Sequence, residues 1–288
     1  MSLDDTSPPK APLSTRSGNV RLGTIIVAPL LLVAGVAFLI FGRNGTETPG
    51  TPTITAAASG QFSAEQQHAI QAVVRDYLLA NPEILIEVQG ALEAKMQKEE
   101  AEKTKALVAA NAKEIYRHPN APVAGNPDGD ITVVEFFDYN CGYCKRGFTD
   151  VAKLVENDKN VRVVFKEFPI LRDESEQAAK VALAARMQGK YWEVHQDLIA
   201  SKGLVNEAVA LKVAEKHGLD MEKLKTDMNS ADVKAELDRV KELAKKMGIN
   251  GTPHFLVGDR AIGGAPEHLY ELLEGYVTEL RKTGCAYC

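Results

Sequence analysis

The chain has 288 residues, 45% of them hydrophobic and 25% charged, with six histidines and four cysteines, the composition of a folded protein with room for one good-sized domain plus extras. Its formal net charge is -5, and no run of lysine or arginine forms a stripe. That excludes the electrostatic footprint of a nucleic-acid binder, and no nucleic-acid partner is expected.

Residues 22–42, LGTIIVAPLLLVAGVAFLIFG, carry no charge and are bracketed by Arg21 and Arg43. At helical rise the run measures roughly 30 Å, about the thickness of a bilayer core, so a transmembrane signal anchor is expected here. Lys10, Arg16 and Arg21 precede it and only Arg43 follows closely, which puts residues 1–21 in the cytoplasm and the rest outside. The alternative is a cleaved signal peptide. The run is longer than the usual apolar region of one, and the nearest small-residue site, AAASG at 56–60, lies far beyond it. Export places the cysteines where disulfides form and persist. Residues 43–61, rich in threonine, glycine, proline and small side chains, read as a flexible linker.

Ser63 with Gln66 fits a capping box, and Ile70, Val73, Val74, Tyr77 and Leu78 recur at helical spacing as far as Asn81-Pro82, which should end one helix and start another. No proline interrupts Pro82 to Arg117, where Leu85, Val88, Leu92 and Met96 form one apolar stripe before the charged run at 97–105. The stripe packs either on the chain's own domain or on copies of itself. The charged stretch and the helix length favour copies, so residues 62–118 are expected to be a helical oligomerisation stalk.

Residues 119–130 are turn-rich and mark entry to a catalytic domain, 119–288. ITVVEFF (131–137) and VRVVFKEF (161–168) read as strands buried on both faces, joined by a helix from about Cys141 to Glu156. Such a unit is parallel βαβ. Residues 174–247 read as helical, with breaks near Gly189, Gly203, Gly218 and Asn229, and 252–264 as a strand, a tight turn and a short strand. A final helix covers about 266–282.

Cys141 and Cys144 form a CxxC at a strand-to-helix junction inside that βαβ unit, a redox signature. Free backbone N–H groups and the helix dipole would stabilise a Cys141 thiolate, bringing its pKa from ~8.5 into the ~3.5–7.5 range. Cys144, one turn further in, would resolve a mixed disulfide. Zinc is the competing use, but its two CxxC knuckles normally lie some tens of residues apart, and Cys285 and Cys288 stand across a long helical block. No metal site and no cofactor are assigned.

PVAGNPDGDITVVEFFDYNCGYC, the helical insertion and GTPHFLVGDRAIGG together resemble the DsbA-type thiol:disulfide oxidoreductases over roughly residues 119–283. With the more loosely matching LLANPEILIEVQGALEAKM, the chain is most similar to their trimeric suppressor-of-copper-sensitivity (ScsC) group. The resemblance implies an α/β, thioredoxin-like fold with an inserted helical domain at about 174–248, preceded by anchor and stalk. It also implies a single-pass protein of the bacterial inner membrane whose catalytic domain makes or rearranges disulfides in the periplasm. Pro253 then matches a cis proline facing the CxxC, and the backbone at Thr252 would pair with an extended substrate segment. Glu135, on the strand face of Val133 and Phe137, would lie buried beneath the site and exchange a proton with Cys144. Lys166 is its candidate partner, unless both are edge residues in water.

Gly142 and Tyr143, the substrate-facing dipeptide, match the pair found in disulfide isomerases. The expected partners are exported proteins bearing cysteines or disulfides, a membrane redox partner that reduces or oxidises the CxxC, and further copies of the chain, three being favoured. CAYC, Cys285 to Cys288, departs from the family pattern. A second redox pair, a structural bridge, a metal tag and unpaired thiols all remain open. The tiny loop argues against a stabilising bridge and favours a redox or soft-metal role. A disulfide isomerase is the preferred reading, with a dithiol oxidase, a copper- or zinc-handling thiol protein, and a scaffold with an idle CxxC as alternatives.

Overall fold

The computed structural model describes residues 62–288; the expected anchor at 22–42, the residues before it and the linker at 43–61 lie outside the described residues. Among the described residues no helix is long and apolar enough to cross a membrane. The chain divides into two units, Met1–Val74 and Arg75–Cys288, and the core belongs to the second.

Helix α1 (Ala64–Ala80) opens on the expected reciprocal cap: Ser63 N–H donates to Gln66 Oε1 at 2.8 Å and Gln66 N–H to Ser63 Oγ at 3.3 Å. Helix α2 (Glu83–Tyr116) follows after Pro82 and runs 34 residues, about 50 Å. Its two ends differ. Leu85, Val88, Leu92 and Met96 are each more than half exposed, and Ile86 more so, so this stripe does not pack on the chain's own domain. Val108, Ile115 and Tyr116 are fully buried, and the last turns of α2 therefore belong to the domain core. This moves the expected boundary at 118 and 119 back along the helix.

The sheet has the order β1-β3-β2-β4-β5, with β1 (Val123–Gly125), β2 (Ile131–Phe137), β3 (Val161–Glu167), β4 (His254–Val257) and β5 (Arg260–Gly263). Strands β2 and β3 are parallel, joined by α3 (Gly142–Asn157), and the other pairings are antiparallel. Every residue of β2 and β3 is buried because both faces are covered. Ile131, Val133 and Phe137 pack with residues of α3 and the final helix α9 (Leu269–Thr283), while Val134 and Phe136 pack with the end of α2 and with α8.

Five helices intervene between β3 and β4: α4 (Asp173–Met187), α5 (Tyr191–Ala200), α6 (Glu207–Lys216), α7 (Met221–Asp227) and α8 (Ala231–Met247). Asn206, Asp220 and Ser230 cap the last three through side-chain oxygens, and Gly248, at φ 72°, closes α8 in the left-handed conformation. Strand β1 falls in the segment read as turns.

Candidate active site

The end of β2 delivers the chain to the site through a loop tied down on all sides. Asp138 accepts at Oδ1 from Asn140 N–H at 2.7 Å and at Oδ2 from the N–H groups of Ile170 and Leu171, both at 3.0 Å. Its carbonyl accepts from Cys141 N–H at 3.0 Å. Asn140 reaches the helical insertion, donating to Ser175 Oγ and the Val205 carbonyl and accepting from Val205 N–H.

Cys141 is the N-cap residue of α3, with extended backbone (φ -81°, ψ 117°). The Cys144 thiol donates to its sulfur, and the N–H groups of Cys144 and Tyr143 also face it; together with Thr252 these outweigh burial and bring the Cys141 pKa down to about 5. Cys144 is completely buried, and desolvation, the hydrogen bond to Cys141 and the Glu135 charge push its pKa up. Both are free thiols in this structure.

The Thr252–Pro253 bond is cis, as expected from the sequence. The Cys141 thiol donates to the Thr252 carbonyl at 3.2 Å, so the residue before the proline stands against the Cys141 sulfur. The buried Thr252 hydroxyl has no other partner and favours the thiolate as a donor toward the Cys141 sulfur. Gly142 leaves open space where a Cβ would stand. Tyr143 is 58% exposed, and the Arg146 guanidinium lies 4.6 Å from its ring centre.

Glu135 is buried on the Cys141 side of the sheet, where desolvation first and the Cys141 charge second raise its pKa to about 8. It therefore holds a proton near neutral pH and can give it to an emerging Cys144 thiolate. Lys166 is not its partner. The β2–β3 register sets Glu135 beside Phe165 and Phe136 beside Lys166, so Lys166 points to the opposite face. There its ammonium donates to the Glu114 carbonyl of α2 at 2.7 Å, and burial lowers its pKa to about 7.

Sequence reading missed a buried cluster behind the site. Glu167 Oε1 accepts from Tyr139 at 3.0 Å and from Tyr191 at 2.8 Å, and Tyr139 also lies 3.0 Å from His195 Nδ1. Burial raises Glu167 to about 8 and lowers His195 to about 3, so both are neutral and the cluster acts through hydrogen bonds. It fixes the residue two before Cys141 to α5. Among the described residues, no group of three or more His, Cys, Asp or Glu side chains is placed to hold a metal ion.

A DSBA-like thioredoxin domain matches residues 132–273, and the N-terminal domain of the copper resistance protein ScsC matches residues 66–99. A thioredoxin-like oxidoreductase from Silicibacter pomeroyi is 47% identical, with a TM-score of 0.56, over 97% of its own chain and 59% of this one. The chain belongs to the DsbA-like thiol:disulfide oxidoreductases. Among members of this family, a linker-deleted ScsC from Proteus mirabilis is 28% identical, with a TM-score of 0.58, covering 98% of its chain and 77% of this one. The DsbA-like part also recurs inside longer proteins: a Na(+)/H(+) antiporter NhaA 3 of Salinispora tropica is 29% identical over 140 residues, 48% of this chain, and the chain spans 22% of that relative's length.

Proposed function

We propose that the protein is a disulfide isomerase, anchored in the bacterial inner membrane by residues 22–42, with its catalytic domain in the periplasm and its stalk holding several copies together, three being favoured. The observation that carries this reading is the stripe Leu85, Val88, Leu92 and Met96, exposed on a 34-residue helix whose far end is built into the catalytic domain. So much apolar surface in water marks an interaction site, and like stripes packed together would hold several Cys141 thiolates over one substrate.

Cys141 attacks a disulfide of an exported protein, forming a mixed disulfide and expelling a substrate thiolate. A second substrate thiol then displaces Cys141 and completes a rearrangement, or Cys144, deprotonated through Glu135, attacks Cys141 and releases reduced substrate. The backbone at Thr252 beside the cis proline holds an extended substrate segment, and Gly142 and the exposed Tyr143 face it. A membrane redox partner returns the CxxC to its working state.

A second reading, a dithiol oxidase, is favoured by one observation: the Cys141 thiolate is strongly stabilised, which favours the reduced pair and makes its disulfide an oxidant. Reactivation of scrambled ribonuclease, run beside oxidation of reduced ribonuclease, separates the two. The isomerase reading expects faster reactivation of the scrambled enzyme; activity confined to the reduced one replaces it with the oxidase.

A further inference from the structure

Cys285 and Cys288, which follow α9, are joined in a disulfide while Cys141 and Cys144 of the same molecule are free thiols. Cys285 lies over the β4–β5 turn, its Sγ 3.6 Å from where a Cβ would stand on Gly258. Tyr287, inside the disulfide loop, packs into the cluster beneath α2. The four residues Cys285–Cys288 form one wall of an open cavity of about 440 Å³, and Ala112 and Lys113 of α2 with Arg117 just beyond its end form the other. Arg117 also donates to the Cys288 carbonyl. Both cysteines are partly exposed. A loop of this size removes little chain entropy, so the bridge contributes little as a staple. Its setting suits exchange instead, since Lys113 and Arg117 line the same open cavity as the pair and a nearby cation favours thiolate.

The pair lies at the far end of the sheet from the CxxC. The register places Val257, just before Gly258, beside Val133, and Val133 to Phe137 alone spans roughly 13 Å at strand rise. A chain's own pair cannot meet its own Cys141 from this seat. That of a second copy can.

We propose that Cys285 and Cys288 are a second redox centre, which in its dithiol form reduces the Cys141–Cys144 disulfide of another copy of this chain. The proposal rests on Cys141 being the exchanging sulfur. One thiolate of the pair attacks Cys141 Sγ, and the Cys141–Cys144 bond breaks. Cys144 leaves with a proton supplied by Glu135. The remaining thiolate of the donor pair then attacks the donor sulfur of the mixed disulfide and expels Cys141 as a thiolate. The Cys285–Cys288 dithiol is oxidised to a disulfide and the active-site disulfide is reduced, two electrons passing between them. Of the two donor protons, one replaces that lost by Glu135 and the other goes to water. Electrons run this way because Cys141 has a helix N-terminus and the Cys144 thiol to hold its negative charge, whereas Cys285 follows a helix C-terminus. A thiol reductant entering the open cavity restores the dithiol.

The test mixes two full-length variants without air. The donor, Cys141→Ser with Cys144→Ser, has its remaining pair reduced; the acceptor, Cys285→Ser with Cys288→Ser, has its CxxC oxidised. Acid quenching, alkylation and intact-mass measurement follow both pairs. The donor should become a disulfide as fast as the acceptor becomes a dithiol, with an equilibrium at least tenfold to that side. Lys113→Gln with Arg117→Gln in the donor should slow transfer several-fold at pH 7 and much less at pH 9, where the thiols ionise unaided. A free CAYC peptide that reduces the acceptor equally fast, or a donor that stays reduced while glutathione attacks the acceptor's Cys141, overturns the proposal and leaves the proposed function standing. An acceptor whose Cys141 reacts with neither overturns the reading of Cys141 itself. A donor with native cysteines and Cys141 blocked by alkylation repeats the measurement if the double serine variant does not fold.

Discussion

At the scale of single residues, the account depends on two adjacent groups with opposite shifts. Cys141 is brought down to about 5 by the Cys144 thiol, the N–H groups of Tyr143 and Cys144, and Thr252. In the reduced protein its alkylation rate should rise through about pH 5 and then level off to pH 8, while buried Cys144 stays unmodified until the fold opens. Equal rates for the two thiols contradict the assignment. Glu135 is raised to about 8, chiefly by burial. Its contribution to stability is therefore most favourable below the ordinary carboxylate pKa and is lost as pH rises through about 8. Glu135→Gln should gain stability relative to the parent protein between pH 5 and pH 9 in urea unfolding, and above about pH 8, where Glu135 has given up its own proton and can accept that of Cys144, mixed disulfides on Cys141 should persist longer in the variant. A stability difference that does not change with pH removes Glu135 from the proton path.

At the scale of elements, α2 is exposed at one end and built into the core at the other. If like stripes pack together, burying each leucine contributes on the order of 2 kcal/mol, so Leu85→Asp with Leu92→Asp should dissociate the assembly in sedimentation while leaving the catalytic domain folded. A parent chain that already sediments as a monomer contradicts the stalk reading. At the other end, the Tyr116 hydroxyl donates to the Gly258 carbonyl and the Arg162 guanidinium to the Tyr116 carbonyl at 2.5 Å. Tyr116→Phe leaves a buried acceptor unpaired and should cost about 1–3 kcal/mol. The exposed half of α2 was legible from its 3.6-residue period. The docked half was not, because it is anchored by residues far along the chain. Likewise β2 and β3 stand out as unbroken apolar runs and the helix breaks at Gly189, Gly203 and Gly218 adopt positive φ, whereas β1 is too short to carry a period. Pairing register is a tertiary property, so the face of Lys166 could not be read from alternation within its own strand. The cluster of Tyr139, Glu167 and His195 joins residues 28 and 56 positions apart and leaves no local pattern.

At the scale of the whole molecule, the two cysteine pairs stand toward opposite ends of one sheet. The CxxC, the cis proline and Glu135 meet at one end, and the base of the stalk and the Cys285–Cys288 disulfide meet near the other. The helical insertion between β3 and β4 braces the CxxC end through Asn140 and Tyr139, so the loop before Cys141 is held by both parts of the fold. The central claim is that disulfide exchange passes through Cys141. Trapping tests it most directly: Cys144→Ser in the full-length chain, mixed with scrambled ribonuclease, quenched in acid and mapped by mass spectrometry. The account predicts substrate joined covalently to Cys141, in a complex that a thiol reductant releases. Absence of any adduct, or adducts only on Cys285 or Cys288, would contradict it.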